Sequence, residues 1–391
     1  MHILPDLSAE SLLQCHIFHS TTDSTFVCLS YVWNYLPPTY GKSHEEADVA
    51  ILLNGQIYYV RPNLFDFLCM ARRNSIEATW EDKFDLSTPF WIDALCIDQS
   101  NPSERIHQVA HMGNIYSKAS AVHAWLGNHL RHATRDEVRG VIMAEANRQI
   151  RLAELGHDLE FSESIRSDIE LMASKKDIDN LGKSLMESLH MNPYWQRAWV
   201  VQEVFLAQNL TFWLLSEPFS QRFLRRLASQ ILESRTIMKE ELVMDGTHYL
   251  DFHFSNFKHD KKADLIDLLD QYADKQCADP RDRIYSLLAL CTEWSKVEVD
   301  YSIELQDLAY GVLECHPGKL SLCVAAIVAQ TLWARPATSD TACGLENGPW
   351  IKFDVSHERF EVHPDNNRLL TSLELSSICD CFHRGFYPVP D

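Results

Sequence analysis

The stretch from residue 89 to 127, PFWIDALCIDQSNPSERIHQVAHMGNIYSKASAVHAWLG, constrains the fold more than any other part of the chain. It opens on a short apolar run with aromatic and β-branched residues, 90–95, which predicts a buried strand. Asp93, Asp98 and Gln99 stand in and just past the C-terminal end of that run. A loop with Ser100, Asn101, Pro102 and Ser103 leads into a helix expected over 104–117. A second apolar run, 121–126, predicts another strand, closed by Gly127. Strand, polar loop, helix, strand is a βαβ unit, and such units build parallel sheets whose ligands sit beyond the carboxyl ends of the strands. Asp93, Asp98 and Gln99 are therefore candidate ligand-binding residues. Asp98 and Ser103 are equally placed to cap the helix that follows, and Gln99 to bond loop backbone.

The flanking sequence extends this α/β pattern. Residues 26–33 read as the first strand of the main sheet. Residues 50–60, AILLNGQIYYV, read as a hairpin, because Asn54-Gly55 is the favoured type I′ turn between apolar runs. Pro62 can open a helix to about residue 73, with Leu64, Phe67, Leu68 and Ala71 on one stripe. Residues 128–191 are charged and helical in pattern, with Thr134 and Glu137 as a capping box, and read as a helical insert. Residues 209–215 predict a strand, and 221–242 and 264–274 predict helices. Past Pro336, the runs WIKFDV, RFEVH and LLTSLEL suggest a small antiparallel β region over about 348–377. The expected division is an α/β domain over 1–302, with the insert, and a C-terminal helix plus β region over 303–391.

Composition narrows the partners. Lys and Arg number 35 against 55 Asp and Glu, a formal charge of −20. So acidic a surface repels phosphate backbones, which argues against nucleic acid and anionic membrane as main partners. No apolar run approaches the roughly 20 residues that cross a bilayer, and the first residues lack a basic n-region. The eleven Cys are scattered and read as reduced thiols of a cytoplasmic protein. No Walker or dinucleotide glycine fingerprint is present.

Several groups carry possible chemistry. Trp199 and Glu203, four apart on an expected helix, share a face, so an indole can lie beside a carboxylate. Arg281, Asp282 and Arg283 precede an apolar helix start; one Arg can grip a phosphate as a bidentate fork, or the cluster can be an internal Arg–Asp lock holding that helix to the main sheet. Glu104, His107 and His111 have a spacing that can hold a metal, but the imidazoles flank the apolar stripe and read as solvated, and Cys379, Cys381 and His383 lack partner ligands; no metal site is expected. Cys96, between Leu95 and Ile97, reads as a buried small residue.

Four blocks of this chain, in order, resemble the fungal heterokaryon-incompatibility (HET) domain family. They are CLSYVWN at 28–34, with Asn34 where glycine is usual; Trp91, Ile92, Asp93, Cys96, Ile97, Gln99, Glu104, Arg105, Gln108, Met112, Ile115, Tyr116 and Trp125-Leu126-Gly127; NPYWQRAWVVQEV at 192–204; and ADPRDRIYSLLAL at 278–290 followed by VDYS at 299–302. The family is similar in fold class to TIR domains, which implies a TIR-like, flavodoxin-type, mostly parallel sheet flanked by helices. FVCLSY at 26–31 is similar to the first TIR strand, and Pro193-Tyr194 followed by Trp199 and Glu203 is similar to the TIR helix bearing the catalytic acid, with Val200 and Val204 as departures. The resemblance implies a role in fungal non-self recognition and regulated cell death through self-association. It makes Glu203 the candidate catalytic residue for hydrolysis of NAD, which would be a substrate, with no cofactor required. A fixed carboxylate suits the oxocarbenium-like state through which nicotinamide leaves ribose. The candidate ligand-binding set around it is Ser30, Tyr31, Trp33, Asp93, Asp98, Gln99, Arg105, Arg197, Trp199 and Arg281. Two alternatives stand beside this: a non-catalytic self-associating signalling module, and a small-molecule enzyme of secondary metabolism using the same crevice.

Overall fold

The computed structural model of the chain describes residues 1–4, 12–33, 47–77, 85–128, 140, 189, 192–221, 263–273, 275–291, 297–315, 322–333, 350–354 and 359–363. The chain divides into two compact units that interleave along the sequence. One comprises Met1–Ile97, Ile115–Trp195 and Ala207–Lys258; the other comprises Asp98–Asn114, Gln196–Leu206 and His259–Asp391.

The first unit holds two mixed sheets. In chain order its strands are β1 (His2–Ile3), β2 (Gln14–His16), β3 (Val27–Tyr31), β4 (Val49–Leu53), β5 (Gln56–Val60), β6 (Phe90–Trp91), β7 (Ala121–Trp125), β8 (Leu210–Leu214) and β9 (Glu217–Ser220). The main sheet runs β6-β3-β7-β8-β9, with its first four strands parallel and β9 antiparallel. Taken in chain order, its parallel strands lie second, first, third, fourth, the flavodoxin-type order, and the order reverses between β3 and β7. All five residues of β3 are buried, as expected of a central parallel strand covered on both faces. The smaller sheet runs β1-β2-β4-β5. Its β4–β5 hairpin turns at Asn54 and Gly55, with φ of 51° and 79°, the left-handed pair that Asn-Gly supplies at least cost.

Helix α1 (Pro62–Glu77) buries Leu64, Phe67, Leu68 and Ala71, the predicted stripe. Phe67 meets Phe90 and Trp125 edge to face, with ring centroids 5.9 and 5.8 Å away. These rings centre a core that also takes in Leu29, Tyr31, Ile92 and Trp213.

The expected strand over 90–95 is a strand only at Phe90–Trp91. From Asp93 the chain makes a helical turn, α2 (Asp93–Cys96), in which the Ile92 carbonyl accepts from the N–H groups of Leu95 and Cys96. The Asp93 carboxylate accepts from the next N–H, Ala94, at 2.7 Å and so favours the turn over the ladder. A six-residue apolar run does not by its period separate a strand from a buried helical turn.

Helix α3 spans Pro102–Lys118. Its cap is Asn101, whose Oδ1 accepts from the N–H groups of Ser103 and Glu104 at 3.2 and 3.3 Å. Asp98 and Ser103, the expected caps, do not fill that place. Asp98 closes the preceding turn through Ser100 N and Oγ, which holds its carboxyl below the usual range, while Glu104 accepts from Asp98 N.

The second unit is mainly helical: α4 (Ala198–Phe205), α5 (Leu265–Tyr272), α6 (Asp282–Tyr285), α7 (Leu305–Cys315) and α8 (Leu322–Trp333). Asp264 caps α5 by accepting from Ile266 N at 2.8 Å. Val201, Leu269, Ile284, Leu288, Val312 and Val328 share one core. Gly113 of α3 lies so close to Ala289 that a methyl group added there would fall on its Cβ. β10 (Trp350–Asp354) and β11 (Arg359–His363) pair antiparallel, as WIKFDV and RFEVH predict. The expected insert over 128–191 and helix over 221–242 lie almost wholly outside the described residues, as does LLTSLEL. Among the described residues, no helix is long and apolar enough to cross a membrane.

Candidate functional site

In the first unit the candidate residues gather at the carboxyl ends of β3 and β7. Ser30 is 1% exposed, and its hydroxyl shares a 2.7 Å hydrogen bond with that of Tyr194. Tyr31 is buried in the core. Trp33, just past the strand, is 37% exposed, and its indole N–H donates to Asp93 Oδ2 at 3.0 Å. The structure thus brings together two residues that the sequence nominated separately. Asn63 of α1 supports this end of the sheet: its amide donates to the Val32 carbonyl, and its Oδ1 accepts from the Trp125 indole. Asn192 donates to the Leu126 carbonyl at 2.8 Å, and the Trp195 indole to Leu189. The Asn63 and Asn192 amides satisfy carbonyls just past the ends of β3 and β7 that burial would otherwise leave without partners.

A cleft of about 420 Å³ opens beside these strand ends, lined by Phe65, Asp66, Cys69, Met70 and Arg73 of α1 and by Asn128, Leu215 and Ser216. Leu215 and Ser216 form the β8–β9 turn with φ of 51° and 71°, a left-handed pair occupied by residues that rarely adopt it. The sequence gives little sign of this turn, since neither residue favours left-handed backbone. Burial raises the Cys69 and Cys96 thiols above their ordinary pKa, so neither is an activated nucleophile.

In the second unit, Glu203 sits on α4 with 1% exposure. Its Oε2 lies 3.5 Å from Arg197 Nη1, whose side chain is 17% exposed. A carboxylate so far from water stays charged only with a partner of this kind. Arg197 stands immediately before the helix, in extended backbone, and pairs there with Gln276; Gln276 N donates to the Gln196 carbonyl and Ala198 N to the Gln276 carbonyl. The ion pair is thus anchored at the helix start rather than carried on a loop.

Trp199, one turn before Glu203, hydrogen-bonds Asp282. Asp282 also accepts from the Tyr301 hydroxyl at 2.6 Å, and the Arg105 guanidinium lies 3.8 Å over the Tyr301 ring. Arg105 Nη2 is 3.9 Å from Asp279, which accepts from Arg281 at 2.8 Å; Arg281 Nε donates to the Ile303 carbonyl. Burial raises the Asp282 pKa against the opposing hydrogen bonds from Tyr301 and Trp199, and burial beside Asp282 pushes the Tyr301 phenol up as well. Arg105, Trp199 and Arg281, named from sequence, therefore join one network with Asp279, Asp282 and Tyr301. Of the two readings of the 281–283 cluster, the internal lock describes what Arg281 and Arg283 do, with the second unit in place of the main sheet as the thing locked. Arg283 is 5% exposed and spends its donors on the carbonyls of Lys275 and Thr331.

Asp98 and Gln99 are exposed in the loop before α3. The His107 and His111 rings stand 4.4 Å apart, with His111 Nδ1 bonded to the His107 carbonyl. Among the described residues no group of three His, Cys, Asp or Glu side chains is placed to hold a metal ion.

Residues 26–203 match the family model described as Heterokaryon incompatibility protein (HET). This segment is similar to a HET domain. It runs from the first strand of the main sheet to Glu203 itself, and holds the Trp33–Asp93 contact and the Arg197–Glu203 pair. The curated protein "Heterokaryon incompatibility protein 6, OR allele" of Neurospora crassa is 32% identical to the chain over 103 residues. That stretch is 26% of this chain and 14% of the relative, so the match spans about one seventh of the relative's length. No solved structure matches the chain.

Proposed function

We propose that the chain acts in fungal non-self recognition, as a HET-domain protein that signals regulated cell death. The match over residues 26–203, with the heterokaryon-incompatibility relative, is the observation that carries this reading. At the chemical level the proposed reaction is hydrolysis of NAD, with Glu203 as the carboxylate that stabilises the oxocarbenium-like ribose. What supports it is the restraint on that group: Glu203 is fixed on α4 by Arg197, one turn from Trp199. In this reading the protein is TIR-like in mechanism, the closed Arg197–Glu203 pair is the resting form, and self-association releases the carboxylate to substrate.

The non-catalytic alternative draws on the same pair. A carboxylate 1% exposed and neutralised by an arginine also serves as a structural tie. The two readings separate on Glu203→Gln, which keeps the shape and removes the charge. Hydrolysis predicts that cells expressing this variant keep their NAD and survive, at protein levels matching the wild type. If they die as wild-type cells do, or if the purified wild-type chain leaves NAD intact while wild-type cells still die, the catalytic reading is lost and the signalling role remains.

A further inference from the structure

β5 is the outer strand of the smaller sheet, paired with β4 on one side and, among the described residues, with no strand on the other. Four of its five residues are exposed, and three are large and apolar: Ile57 at 62%, Tyr58 at 42% and Tyr59 at 63%. An uncovered apolar edge of this kind is a template for another strand, and proteins ordinarily blunt it with charge, proline or a bulge. Here none of these is present, and the whole hairpin from Val49 to Val60 carries no charged residue in a chain of net charge −20.

The register fixes which backbone groups face outward. Around a two-residue turn the flanking pair, Leu53 and Gln56, is hydrogen-bonded, and the alternation then makes Ile51–Tyr58 and Val49–Val60 hydrogen-bonded pairs. Gln56, Tyr58 and Val60 thus direct their N–H and C=O groups to β4. Ile57 and Tyr59 direct theirs away from the sheet.

We propose that β5 pairs antiparallel with β5 of a second copy of this chain, about a two-fold axis through Tyr58. Ile57 of each copy then exchanges both backbone hydrogen bonds with Tyr59 of the other, four bonds in all. Tyr58 faces its own counterpart as the close, non-hydrogen-bonded pair. The charges permit a second copy: the hairpin is an uncharged stretch of a strongly acidic chain, so two copies approach there with least repulsion. In this register Arg61, held by Asp48 at 3.4 Å, falls opposite Gly55, so no like charges meet along the seam. Two five-residue strands bury less than the roughly 1,200 Å² typical of lasting interfaces, so the dimer forms with rising concentration. The inference rests on the proposed self-association and gives it a surface; it is independent of the chemistry at Glu203.

Sedimentation of the full chain across the micromolar range should show a reversible monomer–dimer equilibrium. Ile57→Pro deletes only outward donors, one per copy, and should weaken dimerisation at least about tenfold with the thermal melt unchanged. Tyr59→Lys, which places charge on the seam, should do the same and serves if the proline variant melts early. Tyr58→Cys should cross-link to a disulfide dimer under mild oxidation, and Ile57→Cys should not, because position 57 meets its own counterpart only on the diagonal. A chain that stays monomeric throughout, dimers indifferent to both edge substitutions, or equal cross-linking at 57 and 58 would overturn the proposal. NAD turnover by the wild-type chain and by Glu203→Gln, measured over the same concentrations, reports separately on Glu203.

Discussion

His123 on β7 shows how a single largely enclosed group sets a pH limit. Its Nδ1 accepts from the Trp213 indole at 2.9 Å, which requires the neutral ring, and burial pulls its pKa from 6.5 to about 4. The unfolded chain therefore takes up a proton on this residue below pH 6.5, whereas the folded chain refuses it until about pH 4. The stability tied to the neutral ring is complete above pH 6.5, declines as pH falls through that window, and levels off below it. Urea midpoints measured at steps from pH 7 to 4 should fall by an amount equivalent to at most about 3 kcal/mol, and His123→Asn should flatten that part of the slope. At this scale the sequence was informative about identity and silent about company. Arg105, Trp199 and Arg281 stood out by their blocks, but their joint contacts with Tyr301, Asp282 and Asp279 depend on tertiary folding that no local spacing encodes.

Among the elements, those whose residues obey local rules were readable. Asn54-Gly55 announced its hairpin, the stripe from Leu64 to Ala71 announced α1, and Asp264 announced the start of α5. The misreadings fell where side chain and backbone compete. Asp93 turned an expected strand into a helical turn, and Asn101 outcompeted Asp98 and Ser103 for the cap of α3. The β8–β9 turn was unreadable for a different reason: Leu215 and Ser216 hold left-handed backbone with no residue chemistry that favours it. Replacing them with Asn-Gly should stabilise the chain by about 1 kcal/mol in chemical denaturation, by relieving that strain. An unchanged or lower midpoint would mean that Leu215 contributes more through its packing at the cleft than it costs in the turn.

For the whole molecule, the HET match and the folding units have different limits. Residues 26–203 omit β8 and β9, so the main sheet of the first unit would lose its fourth parallel strand. They also omit Asp279, Asp282 and Tyr301, the partners of Arg105 and Trp199. A fragment of 26–203 should give no cooperative thermal transition by circular dichroism, while a fragment of 1–333, which retains both cores, should give one. Cooperative melting of the short fragment would mean that the segment similar to HET domains is itself a folding unit. The flavodoxin-type strand order was foreseeable from the βαβ grammar of residues 89–127; the interleaving of two units was not, because hydrophobic period speaks only of neighbours along the chain.

The guanidinium that lies flat on Tyr301 belongs to Arg105, so a bond made early in the chain is completed late. During synthesis Arg105 leaves the ribosome long before its ring does, because about 200 residues separate the two. A chain cut short by a premature stop upstream of Tyr301 would thus strand Arg105 and the Trp199 helix without their partners, which makes such truncated products natural clients for chaperones and proteases.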